Sequence, residues 1–181
     1  MKTINQSSPI TPLGDGGKTL LLIRHAKSSW DNVDLADIDR PLNERGNKDA
    51  PKMAKRLINK KIKIDAFISS PAKRAKKTAE LFIKEFDKNE DKIILAPALY
   101  HASSDDFYQT IHDVDDKYNS IAIFSHNPGI THFANELADK AKLDNMPTCS
   151  VFAVKSDIKN WGEFKEAKKE FWFFDYPKKE S

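Results

Sequence analysis

Short apolar runs alternate with amphipathic helical segments along this chain, and this alternation limits the possible folds more than any other feature of the sequence. Residues 20–23, 66–68 and 121–124 form continuous apolar runs of the kind found in strands that are buried on both faces. Apolar residues at helical spacing lie on one face of each of three later segments: Ala75, Ala79, Phe82 and Phe86; Phe107, Ile111, Val114 and Tyr118; and Ile130, Phe133, Ala134 and Leu137. Buried strands that are each followed by a helix predict an α/β fold.

Weaker patterns predict three more strands and one more helix. The strands are expected over residues 93–95, 151–154 and 171–174. The helix fits the apolar spacing of residues 50–58, and Pro51 leaves two placements open. Pro51 lies either in the first turn of this helix or inside a longer helix that starts near Asn43.

The length and composition predict one globular domain. The chain has 181 residues, of which 39% are hydrophobic and 31% are charged, with a mean hydropathy of −0.62. Residues 1–17 lack periodicity and are expected to form a leader, with a single domain over residues 18–181. We expect no signal peptide and no membrane segment, and the single cysteine, Cys149, is expected in the core. A cytoplasmic location is the prediction.

The charge pattern gives little support to nucleic-acid binding. The chain has 30 basic and 27 acidic residues, and the lysines are scattered along helical patterns instead of being concentrated in one arm. We therefore expect neither nucleic acid nor a membrane as partner. An anionic small molecule or a phosphorylated protein fits this mixed surface.

Histidines and arginines follow three of the predicted strands. Arg24 and His25 end the first, Ser69 to Arg74 follow the second, and His126 and Asn127 follow the strand at residues 121–124. Ligands of open α/β sheets bind at the carboxyl ends of the strands. We therefore expect two histidines and two arginines to share one rim, with Arg74 at the rim and outside the core.

This set of side chains suits phosphoryl transfer. Arginine matches the geometry of a phosphoryl group, and helix N-termini, expected just after His25, after Pro71 and at Pro128, add N–H donors. His25 is the predicted nucleophile, and a protonated His126 would stabilise the transferred group. The expected reaction is phosphoryl transfer to His25, followed by attack of water.

Each of these residues also has an ordinary structural explanation. Arg74 alone could be an exposed helix residue, and His126 alone could cap a helix. Their occurrence at equivalent strand ends favours a site. We interpret His101, His112 and His132 as surface or supporting residues. The sequence lacks His-Glu-x-x-His and Gly-x-Ser-x-Gly, so neither a metal site nor a serine nucleophile is predicted, and no cofactor is expected.

Four motifs in the chain resemble those of the histidine phosphatase, or phosphoglycerate-mutase-like, superfamily, and in particular its protein phosphohistidine phosphatases. They are Leu22 to Trp30, Asp39 to Gly46, Ser69 to Glu80 and Ser125 to Gly129. The resemblance implies three layers, with a mixed, mainly parallel sheet flanked by helices. It also implies a phosphate pocket made of Arg24, His25, Arg74 and His126, with Ser28 and Asn127 near the phosphate.

One departure from the family pattern bears on the substrate. Mutases and alkyl-phosphate phosphatases of the family usually carry an acidic proton donor after the third strand, but residues 98–105 contain no glutamate. An alkoxide leaving group needs a general acid, whereas an imidazole can leave already protonated on its other nitrogen. The leading hypothesis is therefore a phosphohistidine phosphatase that acts on proteins. A phosphatase of small phosphomonoesters that uses His101 or Asp105 as acid, and a non-catalytic phosphohistidine adaptor, are the alternatives.

Overall fold

A computed structural model describes residues 17–138 and 142–179. Six strands form one sheet in the order β3-β2-β4-β1-β5-β6. The strands are β1 (Lys18–Arg24), β2 (Ala66–Ser69), β3 (Ile93–Leu95), β4 (Ser120–Ser125), β5 (Val151–Ser156) and β6 (Glu170–Asp175). The α-helices are α1 (Glu44–Asn59), α2 (Lys73–Glu85), α3 (Ser104–His112) and α4 (Gly129–Leu137).

The sheet is mixed and mainly parallel. β1, β2, β3 and β4 run parallel to one another, β5 pairs antiparallel with β1, and β6 pairs antiparallel with β5. Side chains alternate between the faces of β1: Leu20 and Leu22 pack with residues of α3 and α4, and Leu21 and Ile23 pack with residues of α1 and α2. Two helices on each face make three layers, which confirms the predicted α/β class.

Helix α1 begins at Glu44, so the longer of the two placements is correct. Asn43 caps the helix by accepting the Gly46 N–H at 2.9 Å, and Pro51 lies inside it. Gly46 is needed for close packing here, because a Cβ at this position would lie 2.2 Å from the carbonyl oxygen of Lys27. The first turn of α1 is thereby held against the segment that follows β1.

The helix expected just after His25 is absent, and this prediction was wrong. Residues 26–43 form a loop with a short 3-10 turn at Asp37–Asp39. Side chains in the loop bond to nearby backbone instead of allowing a helix: the Asp31 N–H donates to Ser29 Oγ, and the Asp34 N–H donates to Asn32 Oδ1. The helices predicted after Pro71 and at Pro128 begin at Lys73 and Gly129.

The aromatic C-terminal segment forms the sheet edge itself. β6 is one of the two edge strands, with Phe171 and Phe174 against one core cluster and Trp172 and Phe173 against the other. Trp161 is buried and donates from Nε1 to the Tyr118 carbonyl at 2.8 Å. Cys149 is also buried, as expected.

The predicted leader lies outside the described residues except for Gly17. Within the described ranges, no helix has the length and apolar character needed to cross a membrane.

Candidate active site

Three neighbouring strand ends form the floor of the site. The order β2-β4-β1 places the ends of these strands side by side, and Arg24 pairs with Ser125 in register. The His25 N–H continues this pairing by donating to the Ser125 carbonyl at 3.0 Å. The two predicted histidines consequently meet, with 5.1 Å between the ring centroids of His25 and His126.

His25 is held as a neutral ring with one free nitrogen. Its Nδ1–H donates to the Ala26 carbonyl oxygen at 2.8 Å, because a carbonyl can only accept. Burial is the main reason that the pKa of His25 falls to about 3, and the nearby cations Arg74 and Arg24 lower it further. The lone pair on Nε2 is therefore available at neutral pH, as a nucleophile requires.

The second histidine, His126, lies in a more enclosed position. Its Nε2 is 2.7 Å from Ser70 Oγ, and its Nδ1 is buried with no hydrogen-bond partner among the residues that the structure describes. Burial, followed by the charges of His25 and Arg74, lowers the pKa of His126 to about 3. The ring is thus neutral here, unlike the protonated form expected from the sequence. A phosphoryl anion beside it would raise the pKa again.

Arg24 and Arg74 both lie close enough to His25 for their charges to act on it. Arg24 donates from Nη1 to the Met146 carbonyl at 2.7 Å, and its buried Nε has no partner within the described part of the chain. Arg74 donates to the backbone oxygen of Asp37 at 2.5 Å and to Asp37 Oδ2 at 2.9 Å. Arg74 is buried, so its expected place at the rim is wrong; the turn at Asp37–Asp39 covers it.

Asp37, Arg40 and Tyr100 surround this arginine and were not singled out from the sequence. Asp37 Oδ1 accepts from Arg40 Nη1 at 2.9 Å, and Oδ2 accepts from the Tyr100 hydroxyl at 2.7 Å. Desolvation opposes ionisation of Asp37, but the hydrogen bonds from Tyr100 and Arg74 outweigh it and hold the pKa at about 2. Asp37 is therefore a carboxylate at neutral pH and has no proton to donate.

Ser28 and Asn127 are both hydrogen-bonded to other protein groups. Ser28 Oγ accepts from Arg40 Nη2 at 2.6 Å. The Asn127 amide donates to the Asn145 side chain and to the Met146 carbonyl, and its oxygen accepts from Thr131 Oγ1 at 2.5 Å. Both residues fix the loops around the pocket in this structure, and their predicted phosphate contacts stay predictions.

The two candidate acids differ in their positions. The exposed His101 ring lies 4.0 Å from that of Tyr100, which in turn packs edge-on to His126. Asp105 is exposed on α3 and pairs with Lys165 Nζ at 3.1 Å. His112 and His132 are also exposed. No set of three or more metal-ligating side chains occurs within residues 17–138 and 142–179.

Arg40 and Tyr100 had only weak signals in the sequence, and Asp37 had none. Arg40 falls within one of the four motifs, next to Pro41, but nothing in that motif indicated a role for it. Tyr100 lies within residues 98–105, the segment in which mutases of the family usually carry an acidic proton donor. Asp37 had no signal, because a loop aspartate is usually solvated.

The family model of the histidine phosphatase superfamily (branch 1) matches residues 20–122 of this chain. An uncharacterized chloroplastic protein of Arabidopsis thaliana is 28% identical over 87% of this chain and 73% of its own length. A 2,3-bisphosphoglycerate-dependent phosphoglycerate mutase of Bartonella henselae is 33% identical, but over 45% of this chain and 41% of the mutase. The chain thus spans less than half the length of that mutase.

Solved structures share the fold. The protein histidine phosphatase SixA complexed with tungstate has a TM-score of 0.75 at 20% identity, covering 88% of this chain and 97% of that one. An Agrobacterium tumefaciens protein provisionally assigned as phosphohistidine phosphatase SixA has a TM-score of 0.74 at 22% identity, covering 88% and 98%. A mycobacterial glucosyl-3-phosphoglycerate phosphatase has a TM-score of 0.63 at 13% identity, covering 86% and 98%.

A match over more than half of the chain establishes the class: this protein belongs to the histidine phosphatase superfamily. The arginines and histidines that meet at the three strand ends lie within or just beyond the matched region. Likeness to the solved structures at these identities establishes the fold, and the substrate has to be argued from the site.

Proposed function

We propose that this protein is a phosphatase that forms a covalent phosphohistidine on His25 and removes phosphate from phosphohistidine in proteins. One observation carries the proposal: the bond from His25 Nδ1–H to the Ala26 carbonyl leaves Nε2 unprotonated, beside two arginines and a second histidine. A neutral, oriented imidazole within a cationic pocket is what nucleophilic attack on a phosphoryl group needs.

In the first step, the Nε2 lone pair attacks phosphorus, and the bond from phosphorus to the leaving nitrogen breaks. The electron pair of that bond goes to the leaving imidazole. Arg24 and Arg74 offset the charge on the equatorial oxygens, and His126 donates to them once the anion has raised its pKa. In the second step, water attacks the phosphoryl group on His25, and Nε2 recovers its lone pair. Both water protons depart with the phosphate.

The choice of phosphohistidine rests on the leaving group. Asp37 is ionised, and Asp105 pairs with Lys165 on an exposed helix, so neither carboxyl is placed to protonate an alkoxide. A phosphohistidine ring protonated on its other nitrogen departs as neutral imidazole without such an acid. The printed names of two structural neighbours, both SixA proteins, agree with this substrate class.

A phosphatase of small phosphomonoesters is the second candidate. It is favoured by the position of His101, exposed beside Tyr100 at the site, and by the glucosyl-3-phosphoglycerate phosphatase among the structural neighbours. His101 would protonate the leaving oxygen in that reaction.

The decisive experiment follows labelled phosphate. The purified protein is mixed rapidly with a histidine-phosphorylated peptide or an alkyl phosphate, and the quenched enzyme is assayed for acid-labile, alkali-stable phosphate. We expect labelling and turnover with the peptide, and neither in His25→Asn. Turnover of the alkyl phosphate alone would favour the second candidate. Tight binding of the peptide without turnover would indicate an adaptor, and turnover without labelling would refute covalent catalysis by His25.

We also propose a cytoplasmic location, which the absence of any cysteine pair in the sequence supports. Cell fractionation with an antibody against the full chain tests it.

A further inference from the structure

Asp37 places an ionised carboxylate beside the site, where the charged groups bonded to it, Arg40 and Arg74, are cationic. Its oxygens accept three hydrogen bonds from side chains, from Arg40, Arg74 and Tyr100. An ionised carboxylate offers about four acceptor positions, so about one is left. The side chain is 47% exposed, and this remaining position is open to solvent and to a substrate.

The groups around Asp37 suit a planar ring. The half-buried Tyr100 lies edge-on to His126 with 5.7 Å between ring centroids, and the exposed His101 ring lies beside it. The negative charge of Asp37 acts on this group of rings, since it raises the pKa of His126 against the effect of burial. Because the Tyr100 hydroxyl donates to Asp37, the carboxylate and these rings form one continuous surface against which a leaving ring can pack.

We infer that Asp37 is a specificity-determining residue that accepts a hydrogen bond from the N–H of a leaving imidazole and so selects phosphohistidine over phosphate esters. The inference rests on the proposed function. The carboxylate keeps the second ring nitrogen protonated while the bond from phosphorus to the first nitrogen breaks. The electron pair goes to the first nitrogen, the proton stays on the second, and the ring leaves neutral.

The same carboxylate disfavours other leaving groups. A phenolate or alkoxide has no N–H for Asp37 to accept, and its developing negative charge is repelled. The Asp37 carboxylate therefore favours a ring that carries positive charge until its bond to phosphorus breaks.

The test compares two substrates in one variant. Asp37→Asn keeps the size of the side chain and removes its charge, and kcat/KM is measured with a histidine-phosphorylated peptide and with 4-nitrophenyl phosphate. Loss of a charge-assisted hydrogen bond lowers kcat/KM roughly 10- to 100-fold. We therefore expect kcat/KM for the peptide, divided by kcat/KM for 4-nitrophenyl phosphate, to fall by about that factor in Asp37→Asn. Asp39→Asn is the matched control: it makes the same change two residues away in the same turn, and its ratio should stay at the wild-type value.

Equal changes in both activities of Asp37→Asn, in either direction, would mean that Asp37 acts only through Arg74, and would overturn the inference. An unchanged pair of activities would overturn it as well. A wild type that cleaves 4-nitrophenyl phosphate but not the peptide would instead refute the proposed function, and the inference with it.

The pH dependence of kcat separates this role from a merely structural one. With the peptide, the alkaline limb of kcat reports loss of the proton from the leaving ring in the bound complex. The Asp37 carboxylate favours the protonated form of the leaving imidazole, and the positive charges of Arg40 and Arg74 partly offset this effect. Tyr100, His101 and His126 are the other titratable side chains around the leaving ring. We expect this limb to move to lower pH by about one unit in Asp37→Asn. An unmoved limb would contradict the inference.

Discussion

Ser70 Oγ lies 2.7 Å from Nε2 of His126, and both groups are buried. Ser70 follows β2 and His126 follows β4, so the contact joins two strand ends at the floor of the site. It fixes the plane of the His126 ring and leaves Nδ1 as the nitrogen without a partner in the described residues.

Ser70→Ala should therefore lower activity as well as stability. Ser70 Oγ also accepts from the Ala72 N–H at 3.3 Å, so the variant loses two buried hydrogen bonds, each worth about 1 kcal/mol in folding. A misdirected His126 should in addition lower kcat/KM with phosphohistidine about 10- to 30-fold. Steady-state kinetics and urea unfolding measure the two effects. Ser69→Ala is the matched control, because Ser69 Oγ is equally buried but donates to the Ser70 carbonyl. Equal losses of activity in the two variants would contradict this role of Ser70.

Acid should destabilise the protein through the two buried histidines, His25 and His126. Both rings have a pKa of about 3 in the folded protein, below the value of about 6.5 in the unfolded chain. Between these values the unfolded chain binds more protons, so the free energy of unfolding falls as pH drops through this window and is unaffected above it. The slope should reach at most about 1.4 kcal/mol per pH unit for each ring.

Urea denaturation across this pH range measures the slope. The double variant His25→Asn, His126→Asn should lose the contribution of these two rings to the slope. Inorganic phosphate should make the slope of the wild type shallower, because a bound anion favours protonated rings. A slope that is the same in wild type and double variant would show that other groups cause it.

Arg40 should anchor the loop at residues 26–43. Its guanidinium donates to Ser28, to Ser29 and to Asp37, and it stacks on Trp30 at 3.3 Å from the ring centroid. Arg40→Lys keeps the charge but loses the planar fork, so we expect a loss of about 1–2 kcal/mol in unfolding free energy and faster proteolysis within the loop. Arg45 pairs with Asp49 on helix α1, and Arg45→Lys should change neither the unfolding free energy nor the rate of proteolysis within the loop. Equal protease resistance of the two variants would refute the anchoring role.

Gly46→Ala should be among the more damaging single-methyl additions in this protein. The new Cβ would lie 2.2 Å from the Lys27 carbonyl oxygen, and its three nearest neighbours are all backbone atoms of Lys27, which leaves little room to relax. Overpacking of this kind costs about 1–3 kcal/mol, and here it also displaces the segment after His25. Gly162→Ala meets only ring atoms of His112 at 3.5 Å and should be tolerated. Thermal denaturation of the two variants is the measurement, and equal shifts in Tm would contradict the packing argument.

The sequence predicted the parts of the site that regular structure positions. His25, Arg74 and His126 each follow a strand of recognisable apolar pattern, and the carboxyl ends of parallel strands must meet. The burial of Arg74 was not predictable in this way, since it depends on how a distant turn folds over helix α2. Asp37 and Tyr100 are 63 residues apart, and their contact depends on the course of an irregular loop.

Under the proposed function and the inferred role of Asp37, phosphoryl transfer and the selection of the leaving group rest on different parts of the molecule. The first task rests on backbone-paired strand ends, and the second on a loop that pairs with the sheet nowhere. Loops tolerate substitution and insertion far better than strands do. Exchange of residues 29–39 between relatives should therefore transplant leaving-group preference while the chemistry of phosphoryl transfer stays in place, which makes this short stretch a natural unit for engineering.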